Sequence, residues 1–471
     1  MATFLRALLL VIMLSGCSMA PKYVRPDAPV EQNWPVAAMA DVASLKSDAG
    51  IDIQMTNIGW RTFFVDQHLQ KLIEIAIANN RDLRVACLNI ARARGTYQVQ
   101  RADQLPGLDA TAQSSNQKTK SSSTGIASVS HTQTANVNIP SFELDFFGRI
   151  QSLKDKALEE YLSTEEALKS AQITLVSEVA KAYLTLVADK EMLAISSDTL
   201  TSQQASYDII KRRYELGVSS ELDLRQAQIS VDTARVDIAH YNGQIAQDIT
   251  ALTLLAGTPL SPDMLPARSL NDMSSLGDVP VGLPSQILLG RPDVMQAEHQ
   301  LKAANANIGA ARASFFPSIS LTAAYGISSS ALAGLFDGGT GLWSFMPKVD
   351  IPLFQGGKNM ANLRVSETDK SIAVANYEKA IQTAFREVSD ALILRKSLLD
   401  QCIAQQSLTE ASSAAYRLSL ERYHMGIDSY LSVLVSQRTM YSSRINLVSS
   451  YLSREVNFVQ LYKSVGGGWN E

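Results

Sequence analysis

The chain has 471 residues, enough for two or three ordinary domains, and a formal net charge of −4 with no lysine or arginine cluster. That balance excludes a nucleic-acid partner, whose phosphates require a basic face. Aromatics are sparse at 7%, while Ala, Ser, Gln and Leu are abundant, so the composition suits long helices with narrow seams better than a bulky core.

At the N-terminus, Arg6 and the apolar run Ala7 to Leu14 read as an export signal too short to span a bilayer. The run ends in Leu14-Ser15-Gly16-Cys17, which resembles a bacterial lipobox. Processing there leaves residues 1–16 as signal peptide and Cys17 as an acylated first residue, and several acyl chains anchor stably. Ser18 follows rather than Asp, which in enteric-type sorting favours the outer membrane. No later stretch approaches the length of a membrane helix. The other cysteines, Cys87 and Cys402, are expected as free buried thiols, although an oxidising compartment also permits a pair.

Residues 17–60 are Pro-bearing and irregular. A first repeat, 61–259, opens with Asp66-x-x-Leu69-x-x-Leu72-Ile73-x-x-Ala76-Ile77, whose spacing predicts a helix continuing past Asp82 to about Gln104, with Pro106 as its stop. Two strands are predicted next, about Leu108 to Lys118 and Thr132 to Phe146. No proline occurs from Ser141 to Thr258, and Ile173, Val176, Ala180, Tyr183 and Val187 step by 3 and 4 along a coiled-coil-like seam. Gly217 interrupts that stretch as a left-handed helix end, and Ser219-Ser220 can cap the following helix. A Pro-punctuated linker occupies 260–283.

The second repeat, 284–466, restates the first and leaves a tail at 467–471. Its helix runs from about Pro292 to Phe316 and stops at Pro317. Ile319, Leu321, Ala323, Tyr325 and Ile327 then alternate with small or polar residues, and a partner strand passes through Trp343, Phe345, Val349, Ile351 and Leu353. Val374, Tyr377, Ile381, Ala384, Val388 and Ala391 form a second seam, interrupted at Gly426, where Asp428-Ser429 can cap. Arg213-Tyr214-x-x-Gly217-Val218-Ser219-Ser220-x-Leu222 thus returns 209 positions later as Arg422-Tyr423-x-x-Gly426-Ile427-Asp428-Ser429-x-Leu431. Two units of this size are a duplicated scaffold, not a solenoid.

The expected fold is mostly α with a small β part: tandem long helical hairpins plus four membrane strands per chain. The alternation alone fits a half-buried soluble sheet equally well. Hairpin arms of about 65 residues, on the order of 100 Å at 1.5 Å per residue, exceed what a globular core needs. Four strands cannot close a barrel, and an open edge in lipid leaves backbone groups unpaired. A trimer supplies twelve strands and six hairpins, a continuous α-barrel/β-barrel conduit, whereas a dimer's eight would be packed solid.

The runs Cys17-Ser18-Met19-Ala20-Pro21-Lys22-Tyr23-Val24-Arg25-Pro26, Gly59-Trp60-Arg61-x-Phe63-Phe64, Asn79-Asn80-x-Asp82-Leu83, Gly290-Arg291-Pro292-Asp293-Val294-x-x-Ala297-Glu298 and Arg312-Ala313-x-Phe315-Phe316-Pro317, in this order and with both Arg-Tyr-x-x-Gly turns, resemble the TolC-like outer-membrane efflux factors, in their lipidated OprM-like branch. The resemblance implies a homotrimeric outer-membrane exit duct of a tripartite efflux system. It would receive drugs or other small toxic compounds from an inner-membrane pump, of resistance–nodulation–division type, through a periplasmic adaptor. Gly217, Val218, Ser219, Gly426, Ile427 and Ser429 match adaptor-contacting tips, and Leu431 matches a constriction. Tyr423, Asp428 and Arg438 match polar positions that hold the helices inward. Where the family often reads Leu-Leu-Asp-Ala-Gln after that leucine, this chain reads Val433-Leu434-Val435-Ser436-Gln437. An apolar gate closed by contact and dewetting is therefore expected instead of a cation-binding acidic ring.

Neither metal nor cofactor is expected beyond the lipid on Cys17, and catalysis is not expected, because His68, His131, His240, His299 and His424 show no metal-ligand spacing. The rival readings are a duct for type I secretion or metal efflux, a periplasmic adaptor, and a spacer lipoprotein. An adaptor carries one hairpin rather than two, and a spacer leaves the alternating strands unexplained.

Overall fold

The computed structural model describes residues 18–31, 34, 59–120, 125–266, 270 and 285–467. The signal segment, Cys17, most of the linker and residues 468–471 lie outside the described residues. After a single turn at Trp60–Phe63 come α1 (Gln67–Asn79), α2 (Arg81–Ala102), β1 (Asp109–Lys120), β2 (Ala127–Leu144), α3 (Arg149–Glu215) and α4 (Glu221–Ala256). The same order returns as α5 (Pro292–Ala313), β3 (Ser318–Ser329), β4 (Gly341–Asp350), α6 (Lys358–His424) and α7 (Tyr430–Ser464). The two long arms, α3 and α6, have 67 residues each.

One expected helix is broken. Asn80 takes extended backbone, accepts the Leu83 N–H at 3.0 Å and donates to the Leu255 carbonyl at 2.9 Å. Its amide thus starts α2 while binding the end of α4, a local alternative to continuing the helix.

The described residues form two compact units, each drawing on both sequence repeats. One gathers 89–165 and 296–378 with the described N-terminal residues to Asp27. Its four strands form one antiparallel sheet in the order β1-β2-β3-β4, so the two predicted pairs are joined through β2 and β3. Beneath the strands, Phe147 stacks on Phe316 at 4.8 Å, and Asp145 accepts the Gln151 N–H at the start of α3. The N-terminal segment lies along α5: Arg25 binds Glu298, Asn305 binds the Pro21 carbonyl, and a Cβ at Gly309 would stand 2.7 Å from Ala20 N.

The other unit holds 28–88, 166–295 and 379–471 where described. The predicted seams are its core: Ile173, Val176, Ala180, Tyr183 and Val187 are buried, as are Ile381, Ala384, Val388 and Ala391. Phe63 stacks on Tyr462 at 3.9 Å, and Asp66 caps α1 while accepting the Tyr183 hydroxyl. Both cysteines are free. Cys402 is buried as expected, but Cys87 is exposed, because α2 buries only Leu83. No helix among the described residues is long and apolar enough to cross a membrane.

Candidate functional site

Two places carry functional geometry: the faces of the sheet and the hairpin tips. Along the sheet, paired residues share a face. One face carries Ala110, Val137, Tyr325 and Trp343 in one row and Ile139, Ala323 and Phe345 in the next. Tyr325 and Trp343 are 76% and 75% exposed. The other face presents Thr111, Gln113, Asn136, Asn138, Thr322 and Ser344, and Thr111 donates toward Asn136 and Asn138. The bulge between Ile139 and Phe142 inserts one extra residue, so that Phe142 and Leu144 stay on the apolar face opposite Leu321 and Ile319.

Each long arm ends alike. Gly217 and Gly426 have φ of 73° and 76°, in the left-handed region that side chains with a Cβ disfavour. The Val218 and Ile427 N–H groups reach back to the Arg213 and Arg422 carbonyls, while the Gly217 and Gly426 N–H groups bond to Tyr214 and Tyr423. This is a Schellman closure at both tips. Leu216 and Val218 at one tip, and Met425 and Ile427 at the other, are exposed.

The caps then differ. Ser220 caps α4 in a reciprocal capping box with Asp223, and Ser219 also reaches Asp223 at 3.3 Å. Ser429 occupies the corresponding position before α7 but makes no cap bond. Asp428 does not cap either: Arg422 takes it through two bonds of 2.7 and 3.0 Å, which hold its carboxyl below the ordinary carboxylate range. The bend thus closes through an ion pair at one tip and through a capping box at the other.

Tyr423 accepts a 2.8 Å bond from Arg213, whose guanidinium lies over its ring at 5.7 Å. Beneath it, Ile210, Ala227, Tyr430, Val433 and Leu434 form a buried cluster that joins the ends of both hairpins. Leu431 and Val435, one turn apart on α7, are 53% and 57% exposed and share a face outside that cluster. Arg438 lies farther along α7, beside a small cavity with Gln203, Asp237 and Tyr441. The expected polar set of Tyr423, Asp428 and Arg438 is therefore dispersed: Tyr423 bonds to Arg213, Asp428 to Arg422, and Arg438 lines the cavity farther along α7. Arg213, which bonds to Tyr423, Arg422, which takes Asp428, and Asp223, which completes the capping box with Ser220, stood in the repeated motif or beside it without an assigned role.

A sheet with one apolar and one polar face, open at both edges and continuing into paired helical hairpins, defines a class of outer-membrane conduit subunits. Residues 72–258 and 283–467 match the family described as "Outer membrane efflux protein". The chain belongs to that family. It is 45% identical over 461 residues to the antibiotic efflux pump outer membrane protein ArpC of Pseudomonas putida, covering 98% of this chain and 94% of that one. Identity and coverage are the same with the toluene efflux pump outer membrane protein TtgC of the same species. The open-state structure of the Neisseria gonorrhoeae MtrE outer membrane channel superposes with a TM-score of 0.86 at 35% identity, covering 96% of this chain and 99% of that one.

Proposed function

We propose that three copies of this chain close one barrel and act as the exit duct of a tripartite efflux pump. The supporting observation is the open sheet: among the described residues β1 pairs only with β2 and β4 only with β3, so two edges remain for neighbouring copies. In lipid such an edge costs several kcal/mol for each unpaired group. Three sheets of four strands give twelve, with the Tyr325 and Trp343 face toward lipid and the Thr/Asn face toward the lumen.

The exposed apolar tips at Leu216, Val218, Met425 and Ile427 suit a periplasmic adaptor, which would couple the duct to an inner-membrane pump of resistance–nodulation–division type. Relatives equally identical to this chain bear the names of an antibiotic pump and a toluene pump, so the cargo is assigned as drugs or other small toxic compounds as a class. Cys17 carries the acyl anchor. Leu431 and Val435 line an apolar constriction, and the bonds to Tyr423 and Asp428 keep the tips folded beneath it.

The deciding experiment is detergent extraction followed by heat-modifiable migration and bilayer conductance. A trimer that conducts ions supports the duct, while a monomer without conductance overturns it. Labelled palmitate tests the anchor, with incorporation lost in Cys17→Ala. Divalent cations test the constriction: strong block from the periplasmic side contradicts an apolar gate.

A further inference from the structure

We propose that Tyr441, Asp237 and Ser196 form a second restraint on the gate, a polar latch holding α7 against the first hairpin well above the tips. This inference rests on reading Leu431 and Val435 as the constriction.

The three residues stand on three helices: Ser196 on α3, Asp237 on α4 and Tyr441 on α7. The Tyr441 hydroxyl donates to Asp237 Oδ2 at 2.8 Å, and Ser196 Oγ lies 2.9 Å from that hydroxyl. A phenol has one proton, which the carboxylate takes, so Ser196 shares its own single proton between the Tyr441 oxygen and the Met192 carbonyl, 2.8 Å away. One side chain of α7 is thereby fastened to both arms of the other hairpin. Ser196 is fully buried, which places this contact inside the packing rather than on its surface.

Beside the latch is a cavity of about 100 Å³ lined by Thr199, Gln203, Ser230, Asp237, Gln437 and Tyr441, among others. Gln203 is 4% exposed and its Oε1 has no protein partner. A polar, roomy space with an unsatisfied acceptor suits a few bridging water molecules. The junction is therefore polar where the neighbouring seam of Val231, Val433 and Leu434 is apolar. Apolar contacts slide at small cost, whereas a directional bond to a carboxylate fixes one position.

Tyr441 is ten residues past Leu431 and six past Val435. At 3.6 residues per turn it projects roughly 80–120° around α7 from them. Rotating or withdrawing α7 to move Leu431 and Val435 therefore drags the Tyr441 hydroxyl from its partners. The latch acts as a positioning device with no part in touching cargo.

Tyr441→Phe keeps the ring and removes both bonds, while Asp237→Asn keeps an acceptor without its charge. Both are compared with wild type and Leu431→Ala as full-length trimers, with heat-modifiable migration checking assembly. Closed-state conductance is expected to rise at least about threefold in Tyr441→Phe and less in Asp237→Asn, with faster amide exchange over α7 and unchanged trimer yield. Should Tyr441→Phe not assemble, Asp237→Asn decides in the same way. Wild-type conductance and exchange in an assembled latch variant overturn the latch, whatever Leu431→Ala does. Wild-type conductance in Leu431→Ala alone overturns the constriction at Leu431 and leaves the exchange measurement to judge the latch.

Discussion

Arg291 is 6% exposed yet remains charged, because Asp293 grips it at 2.7 and 3.0 Å while Glu387 and the Ser464 carbonyl take further N–H groups. This ties the start of α5 to the last turn of α7. Arg291→Met leaves Asp293 and Glu387, themselves about a third exposed, without their donor, so it is expected to cost about 1–3 kcal/mol, read as a lower dissociation temperature of the trimer. The facing carboxyls Asp189 and Asp248 behave oppositely. Burial, then the neighbouring Asp189, pushes Asp248 up to about 6, well above its value of about 3.9 in an unfolded chain. The folded form therefore keeps a proton that the unfolded form has released. Stability from this group is fully present below about pH 4 and is lost as pH rises through about 6. Asp248→Asn should raise the thermal midpoint at pH 7.5 by on the order of a degree or two and leave it unchanged near pH 4.

Among the elements, the tips and strands make separable demands. A Cβ at Gly426 meets nothing within 4 Å, so the cost of Gly426→Ala is backbone alone, about 1–2 kcal/mol for a left-handed residue. Amide exchange should quicken over residues 422–430 and stay unchanged in the sheet. Ala323 and Ala324 are neighbours on opposite faces, level with Phe345 and Ser344. Ala323→Arg is expected to cost about 2–4 kcal/mol, seen as reduced membrane insertion. Ala324→Arg should insert normally and shift ion selectivity toward anions. Equal effects of the two changes would contradict the assignment of the faces. The strands, their alternation and the apolar seams were legible from residue spacing, except that β4 ends at Asp350, short of the expected Ile351 and Leu353, where Pro352 cannot donate to a ladder. The break at Asn80 was not legible, because its cause is a bond to Leu255, 175 residues away.

At the scale of the molecule, the duplication is visible in both sequence and backbone: Gly148 and Gly357, Gly217 and Gly426, and Gly257 and Gly466 all have positive φ. The sheet, however, is shared between the halves, since β2 from the first pairs with β3 from the second. Neither half completes a sheet of its own. Weakening the β2–β3 junction is therefore expected to abolish trimer formation rather than yield a half-sized pore. Gly326→Val is such a change, as its Cβ would stand 2.2 Å from the Ala135 carbonyl. Heat-modifiable migration with conductance reads the outcome.

Local chemistry determined the elements: apolar spacing, prolines and the repeated glycines fix where helices and strands start, stop and face, and the repeat shows that this happens twice. The same string gave Asp428 and Ser429 the look of a helix cap and left Arg213 and Arg422 without roles. Only the tertiary structure decided that Arg213 crosses to Tyr423 and that Tyr441 meets Asp237 and Ser196, whereas the pairing of Arg422 with Asp428 is a local one, six residues apart, that the cap reading passed over. The physical reason is range. A cap or turn is settled within about five residues, but an ion pair or buried hydroxyl chooses among every group that packing brings within about 3 Å.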